Sequence, residues 1–371
     1  MGLVMSGSEE SMALVESAER LVRERYDYSE QRAVLSGEAG WLRERWLEFA
    51  ELGWLGAGVS EEGGGLGLPP SVTTALATAV GPAAMSEPLL HQLVCLHLLD
   101  GCAPHATRQG LLDAGVQGET VFAWLDLRQA TSGSLTISRT DKTITLAGAQ
   151  RGVLDGGIAD VLLLTLPDER LVALPLDDTA GLARAARRGA DGRLFADLTA
   201  SGVAVPETAA LVCADAVVSE ARSLFALLLA GESLGIMRSL LTLTCAYLAQ
   251  RQQFGRKLSD FQVLQHRLVD MHLDCVRVES LVELARVKCD EAGLLTAAPF
   301  VAAAKAQAGL VGRRVGEEAV QLHGGIGMTD ELVVGHYLKR LVMNGMLGGS
   351  PAEQLARAAA GRRLVSVGTD N

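Results

Sequence analysis

Residues 249–262 read AQRQQFGRKLSDFQ, and the assignment of the whole chain turns on them. Upstream, the apolar residues of LAGESLGIMRSLL (229–241) keep a helical period. Downstream, Phe261, Leu264, Leu268, Met271, Cys275 and Val278 recur at a spacing of about 3.5, one apolar stripe suited to antiparallel bundle packing. Between the two helices Arg251, Phe254 and Gly255 mark a break, and Ser259 followed by Gln262 predicts a capping box with the second helix beginning at Ser259. An arginine at such a break offers a rigid fork of donors to a phosphate oxygen, a phenylalanine offers a face to an aromatic ring, and a helix start adds positive potential. The same residues also suit a plain solvated loop.

A second stretch, QLHGGIGM (321–328), follows the helical VGEEAV. Its Gly324, Gly325 and Gly327 permit positive φ and let a ligand approach the backbone, and Gln321 could bond a sugar or phosphate. A helix C-cap explains the glycines equally well, and a lone histidine beside a turn, here His323, is more often structural.

Working outward, residues 1–118 read as helices, with apolar spacings of three and four broken by EEGGGLGLPP and GCAPH. From 119 to 206 the pattern changes to short β-rich runs, TVFAWLDL, SLTIS, TITLAG, ADVLLLTL and RLVALPL, separated by turn residues. The helical period returns over 207–371. The reading is a multi-domain α+β protein: an N-terminal helical domain, a small central β-barrel or sandwich, and a C-terminal four-helix bundle.

A net charge of −11 argues against nucleic acid or an anionic membrane as partner, since neither phosphates nor lipid headgroups attract an acidic surface. Any anion must be held locally. Six scattered cysteines without a CxxC pair imply a reducing compartment. His91, Cys95 and His97 lie in a leucine-rich run without a fourth ligand, so core packing outweighs a metal site. No apolar run reaches the ~18 residues that span a bilayer, and no signal-peptide pattern stands at the start, so a cytoplasmic protein is expected. MGLVMS formally fits a myristoylation pattern, but no basic cluster follows it.

The order helical region, β domain, bundle, with RxxFG in the bundle and QxxGGxG farther along, resembles the acyl-CoA dehydrogenase family. The resemblance covers nearly the whole chain: FAELGWLGAGVSEEGGGLGL (49–68) is similar to the family's N-terminal signature, and LAGESLGIMRSLL leading to RQQFG is similar to its central helix. It implies a flavoprotein that oxidises acyl-CoA thioesters, a Glu taking the α-proton while the β-hydrogen leaves as hydride to FAD, with an electron-transfer flavoprotein or similar acceptor downstream. It also implies that FAD bridges two subunits, its ring against one chain's β domain and Glu, its diphosphate and adenosine on the neighbour. By that resemblance Arg251, Gln253, Phe254 and Leu258, with Gln321, Gly324 and Gly325, would contact the neighbour's diphosphate and adenine.

The in-cis contacts have largely gone. After FAWLDL, where the family has a TEPxxGSD-like loop, the chain runs RQATSGSLTIS. The family's Trp and Thr against the flavin align with Gly152 and Leu154 of AGAQRGVLDGG (147–157), a loss of ~150–250 Å² of aromatic contact. The catalytic Glu of a Tyr-Glu-Gly-Thr-like segment aligns with Gly348 in LGGSPAEQ (347–354), and the alternative position that some relatives use, on the central helix, aligns with Phe225. Glu232 lies seven residues on, ~10 Å farther along the helix. Glu353 is placed as the N3 residue of a capping box, with Ser350 as N-cap and Pro351 at N1.

Loss confined to one half of the site implies divided labour: a non-catalytic subunit of an α2β2 acyl-CoA dehydrogenase, whose homologous partner carries the Glu and shares the FAD, two FAD per four chains. The resemblance is strongest to the shorter subunit of actinobacterial enzymes that oxidise bulky steroid side-chain CoA thioesters. A self-sufficient homo-oligomer using Glu232 as base, and a flavin-free scaffold or acyl-CoA-binding protein, are the alternatives.

Overall fold

Trp46, Phe49 and Trp54 are fully buried, and around them the N-terminal signature folds into a packed turn. Phe49 stacks on Trp54 at 4.7 Å between ring centroids, and Trp46 Nε1 donates to Gly118 O at 2.9 Å. Gly65 is required here because a Cβ would stand 2.4 Å from Val59 O. The computed structural model describes residues 9–37, 39–129 and 135–362. The MGLVMS pattern and the Ser-Gly-Ser at 132–134 lie outside these residues.

The helices preceding the strands are α1 (Glu9–Arg25), α2 (Tyr28–Ser36), α3 (Arg43–Glu51), α4 (Pro70–Val80), α5 (Leu89–Gly101) and α6 (Ala106–Val116). Two four-stranded sheets follow. One has the order β1 (Phe122–Asp126), β4 (Val161–Thr165), β5 (Arg170–Pro175), β8 (Leu211–Val212), with β1 parallel to β4. The other has the order β2 (Thr136–Arg139), β3 (Thr143–Leu154), β7 (Leu194–Pro206), β6 (Leu182–Arg188), all antiparallel. The five β-rich runs seen in the sequence become β1 to β5. β6 to β8 were not expected; β6 is rich in Ala and Arg and carries no alternating apolar face, whereas β7 does alternate buried and exposed residues.

Helix α7 (Asp215–Gln250) leads into a hairpin of β9 (Gln252–Gln253) and β10 (Arg256–Lys257), then α8 (Gln262–His323), α9 (Val333–Met346) and α10 (Pro351–Arg362). α8 is two arms broken at Gly293, whose φ of 79° is left-handed. The expected start at Ser259 is corrected: Leu258–Asp260 form a 3-10 turn, Phe261 is the N-cap and the helix starts at Gln262. Ser259 instead gives its carbonyl to the Gln265 amide at 2.8 Å. The stripe holds, with Met271, Cys275 and Val278 buried and Phe261, Leu264 and Leu268 half-buried. Small residues bring α9 against α8: a Cβ on Gly316 would stand 2.8 Å from Leu338, and one on Gly312 would stand 3.1 Å from Leu341.

Two compact units divide the chain. One holds residues up to Ala33, Pro69–Met85 and Ser223 onward; the other holds Val34–Leu68 and Ser86–Arg222. By length and composition alone, two helical stretches, Asp215–Gln250 and Gln262–Met328, are long and apolar enough to cross a membrane, which corrects the reading that no run is long enough. In the first of them 83% of the apolar window is buried within the fold.

Candidate functional site

α7 stops at Gln250 because the chain reverses within four residues. Phe254 and Gly255 both take positive φ, 53° and 78°, the geometry of a type I′ hairpin loop. Gln253 faces Arg256 across the hairpin, and Leu258 N donates to Arg251 O at 2.9 Å. Glycine adopts this conformation freely, but phenylalanine in it is strained by on the order of 1–2 kcal/mol. Its side chain is 87% exposed, touching Phe261 edge-on at 6.2 Å. The Arg256 guanidinium lies 3.8 Å over the Phe261 ring. Arg251, Arg256 and Lys257 are exposed, and among the described residues none of them meets a carboxylate. In a chain of net charge −11, three unpaired cations on one strained hairpin form a local anion-attracting surface.

At the end of α8 the glycines divide by role. Gly324 has φ 65° and ψ −144°, a conformation open essentially to glycine alone, and its N–H caps the helix by bonding back to Gln321 O and Val320 O. A Cβ on Gly324, Gly325 or Gly255 would meet nothing within 4 Å, so these backbones are open to a ligand. Gly327 is a packing glycine, its Cβ position 2.8 Å from Val320 O. Gln321 is exposed on the last helical turn. His323 is structural, as expected: it is 5% exposed, its Nδ1 lies 2.8 Å from Ala319 O, and its ring stacks on Tyr247. Tyr247, four residues before Arg251, thus joins the two motifs. Its position one helical turn upstream on the same face was the available signal, and the sequence reading passed over it.

The two places for a catalytic base converge. A Cβ built on Gly348 would stand 3.4 Å from Phe225 Cδ1 and 3.3 Å from Leu229 Cδ1, so positions 123 residues apart share one spot. That spot is apolar. Gly348 and Gly349 hold φ of 66° and 101°, and the loop is fastened from beneath: Lys305 Nζ donates to Gly345 O at 3.3 Å and Gly349 O at 3.4 Å, while the Gln354 amide donates to Gly348 O. Burial pushes the Lys305 amine down to about 8.

Glu353 accepts from Ser350 N at 2.7 Å and Ser350 Oγ at 2.9 Å, and these bonds hold its carboxyl below the usual range. It caps α10, as the sequence indicates. Glu232 is 2% exposed, takes a 2.6 Å bond from Asn344 Nδ2 and faces Arg340 at 3.8 Å. Arg340 in turn donates to Ala84 O at 2.7 Å. This carboxylate is engaged inside the fold and is neither on an open helix face nor free at a surface.

In the other unit, the strand that the resemblance aligns with the flavin-facing Trp and Thr is irregular. The β3–β7 register slips between Gln150 and Val153, and Gly152 sits in that bulge at φ 66° with its N–H on Asp197 Oδ1 at 3.1 Å. Leu154 is buried. At the end of β1, Asp126 takes bonds from Thr165 Oγ1 at 2.9 Å and Arg222 Nε at 2.6 Å, and Arg128 pairs with Asp215. His91 bonds Asp155 at 3.1 Å and His97 lies 3.5 Å from Glu220, so the histidines of the leucine-rich run serve separate partners.

Models of the acyl-CoA dehydrogenase N-terminal and C-terminal domains match residues 8–119 and 216–363. The chain belongs to the acyl-CoA dehydrogenase family. Members are FAD-dependent oxidoreductases acting on acyl-CoA. A full-length relative, acyl-CoA dehydrogenase IpdE2 of Mycobacterium tuberculosis, is 27% identical over 95% of this chain and 97% of its own. Among solved structures, the ChsE4-ChsE5 complex from Mycobacterium tuberculosis matches at TM-score 0.86 and 23% identity, over 97% of this chain and 98% of that one. A Tcur3481-Tcur3483 steroid acyl-CoA dehydrogenase variant matches at TM-score 0.85 and 25% identity, over 96% and 98%.

Proposed function

We propose that this chain is the non-catalytic subunit of an α2β2 acyl-CoA dehydrogenase, active in complex with a homologous subunit that carries the catalytic Glu. The observation that carries the reading is the contrast within one unit. The nucleotide-facing hairpin is exposed, cationic and strained, while both base positions meet in an apolar contact of Gly348 with Phe225 and Leu229.

In this reading Arg251, with Gln253 and the open backbone of Gly324 and Gly325, holds the FAD diphosphate. Phe254 and Leu258 would line the adenine, and Gln321 would bond the ribose or phosphate. The residues fit such a group: cations without a carboxylate partner for its charge, an exposed ring for its base and glycine backbone at Gly324 and Gly325 that leaves room for its close approach. When bound, the flavin accepts the hydride. This chain moves no proton in the reaction; the partner's Glu does. The bulge at Gly152 would make this chain's β domain a poor seat for the flavin ring, which the partner's β domain would hold instead. The substrate is an acyl-CoA thioester with a bulky steroid side chain, supported by the steroid enzyme among the structural neighbours. An electron-transfer flavoprotein or similar acceptor would take the electrons onward. The complex works in the cytoplasm, without nucleic acid or membrane.

The test is reconstitution. Purified alone, the chain is expected to be nearly colourless and inactive; co-expressed with the partner, it is expected to yield a yellow complex that turns over. Full flavin and dehydrogenation by the chain alone, abolished by Glu232→Gln, would instead establish the homo-oligomer.

A further inference from the structure

The RxxFG hairpin and the GGxG turn are separated by all of α8, and that connection is a poor spacer. Each arm of α8 is about 30 residues and therefore ~45 Å long, so a pivot of ~3° at the break moves the far end by ~2 Å. The break at Gly293 is left-handed, and a Cβ there would meet nothing within 4 Å. The arms are joined to each other by the Arg267–Glu318 and Arg314–Asp274 pairs, which lie along their length, and the two tips themselves take a further tie.

Tyr247 and His323 supply it. The Tyr247 hydroxyl donates to His323 O at 3.2 Å, a carbonyl in the final turn of α8, where helices run short of internal donors. The two rings stack with centroids 4.5 Å apart and planes 26° apart. His323 Nδ1 lies 2.8 Å from Ala319 O, and since a carbonyl only accepts, Nδ1 carries the proton and the ring is fixed in plane and tautomer. Arg251 N bonds Tyr247 O at 2.9 Å, so the clasp passes straight into the residue that opens the hairpin. One residue therefore meets both places: its backbone carbonyl takes the bond from Arg251 N at the start of the cationic hairpin, and its side chain holds the carbonyl next to the open Gly324.

We propose that Tyr247 is the positioning residue of the nucleotide grip, setting the spacing between Arg251 and the Gly324–Gly325 backbone so that one diphosphate engages both. The inference rests on the shared-FAD reading. Tyr247 touches no reacting atom, so its loss acts on flavin affinity and leaves the chemistry of each bound flavin alone.

The experiment uses the co-purified complex with the partner subunit, stripped of flavin and titrated with FAD. Tyr247→Ala is expected to weaken FAD about 30-fold, and Tyr247→Phe, which keeps the stack and loses the hydroxyl, about 3-fold. kcat per bound flavin and KM for acyl-CoA should stay at wild-type values in both, which a general folding defect would not allow. Arg251→Ala is the control: if it leaves FAD affinity unchanged, the shared-site reading fails. If Arg251→Ala weakens FAD and Tyr247→Ala does not, the clasp is refuted while that reading stands. Should Tyr247→Ala fail to assemble, Tyr247→Phe decides, and wild-type affinity in that variant overturns the proposal.

Discussion

Glycines at positive φ mark both ends of the candidate site, in opposite surroundings. Gly255 and Gly324 are open, with no atom within 4 Å of a would-be Cβ, and Gly255 stands between the exposed Arg251 and Arg256. Gly348 is enclosed, its Cβ direction blocked by Leu229 and Phe225, over a loop held by Lys305 and Gln354. The same residue type leaves backbone uncovered in one place and lies against apolar side chains in the other. On the proposed reading, binding and chemistry would part company within a single helical unit, the hairpin with its strain and exposed charge serving the first and the Gly348 loop, packed on apolar side chains, no longer serving the second.

The comparison can be broken most forcefully at Glu232. If that carboxylate is structural, Glu232→Leu removes the acceptor of Asn344 and one of the groups facing the buried Arg340, and destabilises the chain by about 2–4 kcal/mol in denaturant unfolding. Turnover per folded complex should not change. A variant that folds normally and loses activity would move Glu232 to the chemical side.

Lys305 sharpens the same contrast through pH. Its amine titrates at about 8 in the folded chain and near 10.5 when unfolded. Below pH 8 both states are charged and the folded state bears the full desolvation penalty; between 8 and 10.5 only the unfolded state keeps the proton, so stability rises with pH. The stability advantage of Lys305→Met over wild type should therefore shrink by about 3 kcal/mol from pH 7 to pH 10.5, measured by chemical unfolding. A constant difference would mean that the lysine is not buried as a charge.

At the binding end, Arg251→Ala should weaken FAD in the complex by ~10–100-fold, and the wild-type affinity should fall with salt more steeply than the variant's. The smallest effect has two signs. Phe254→Asn removes the strained left-handed phenylalanine, so the chain alone should gain up to about 1 kcal/mol in thermal unfolding while the complex binds FAD less tightly. A loss of stability would mean that Phe254 is there for the fold.

Much of this was legible in the sequence because it is local. The five strand runs, the break at Arg251 and the Ser350 cap each depend on neighbours a few residues away. The Ser259 cap was misread because a 3-10 turn and a half-buried Phe261 inside the motif moved the helix start to Gln262. β6 was passed over because Ala and Arg alternate in it without an apolar face. The remainder lies in long-range pairs. Gly348 against Phe225, Tyr247 against His323 and Glu232 against Arg340 join residues 76 to 123 positions apart, and no periodicity reports such contacts.

The flavin-to-chain ratio of the purified, active complex tests the central claim most directly. Two FAD in each assembly of four chains, unchanged by Gly152 or Gly348 substitutions in this subunit, is the predicted result. Four FAD in four chains, with turnover by this subunit paired only with itself, would contradict it.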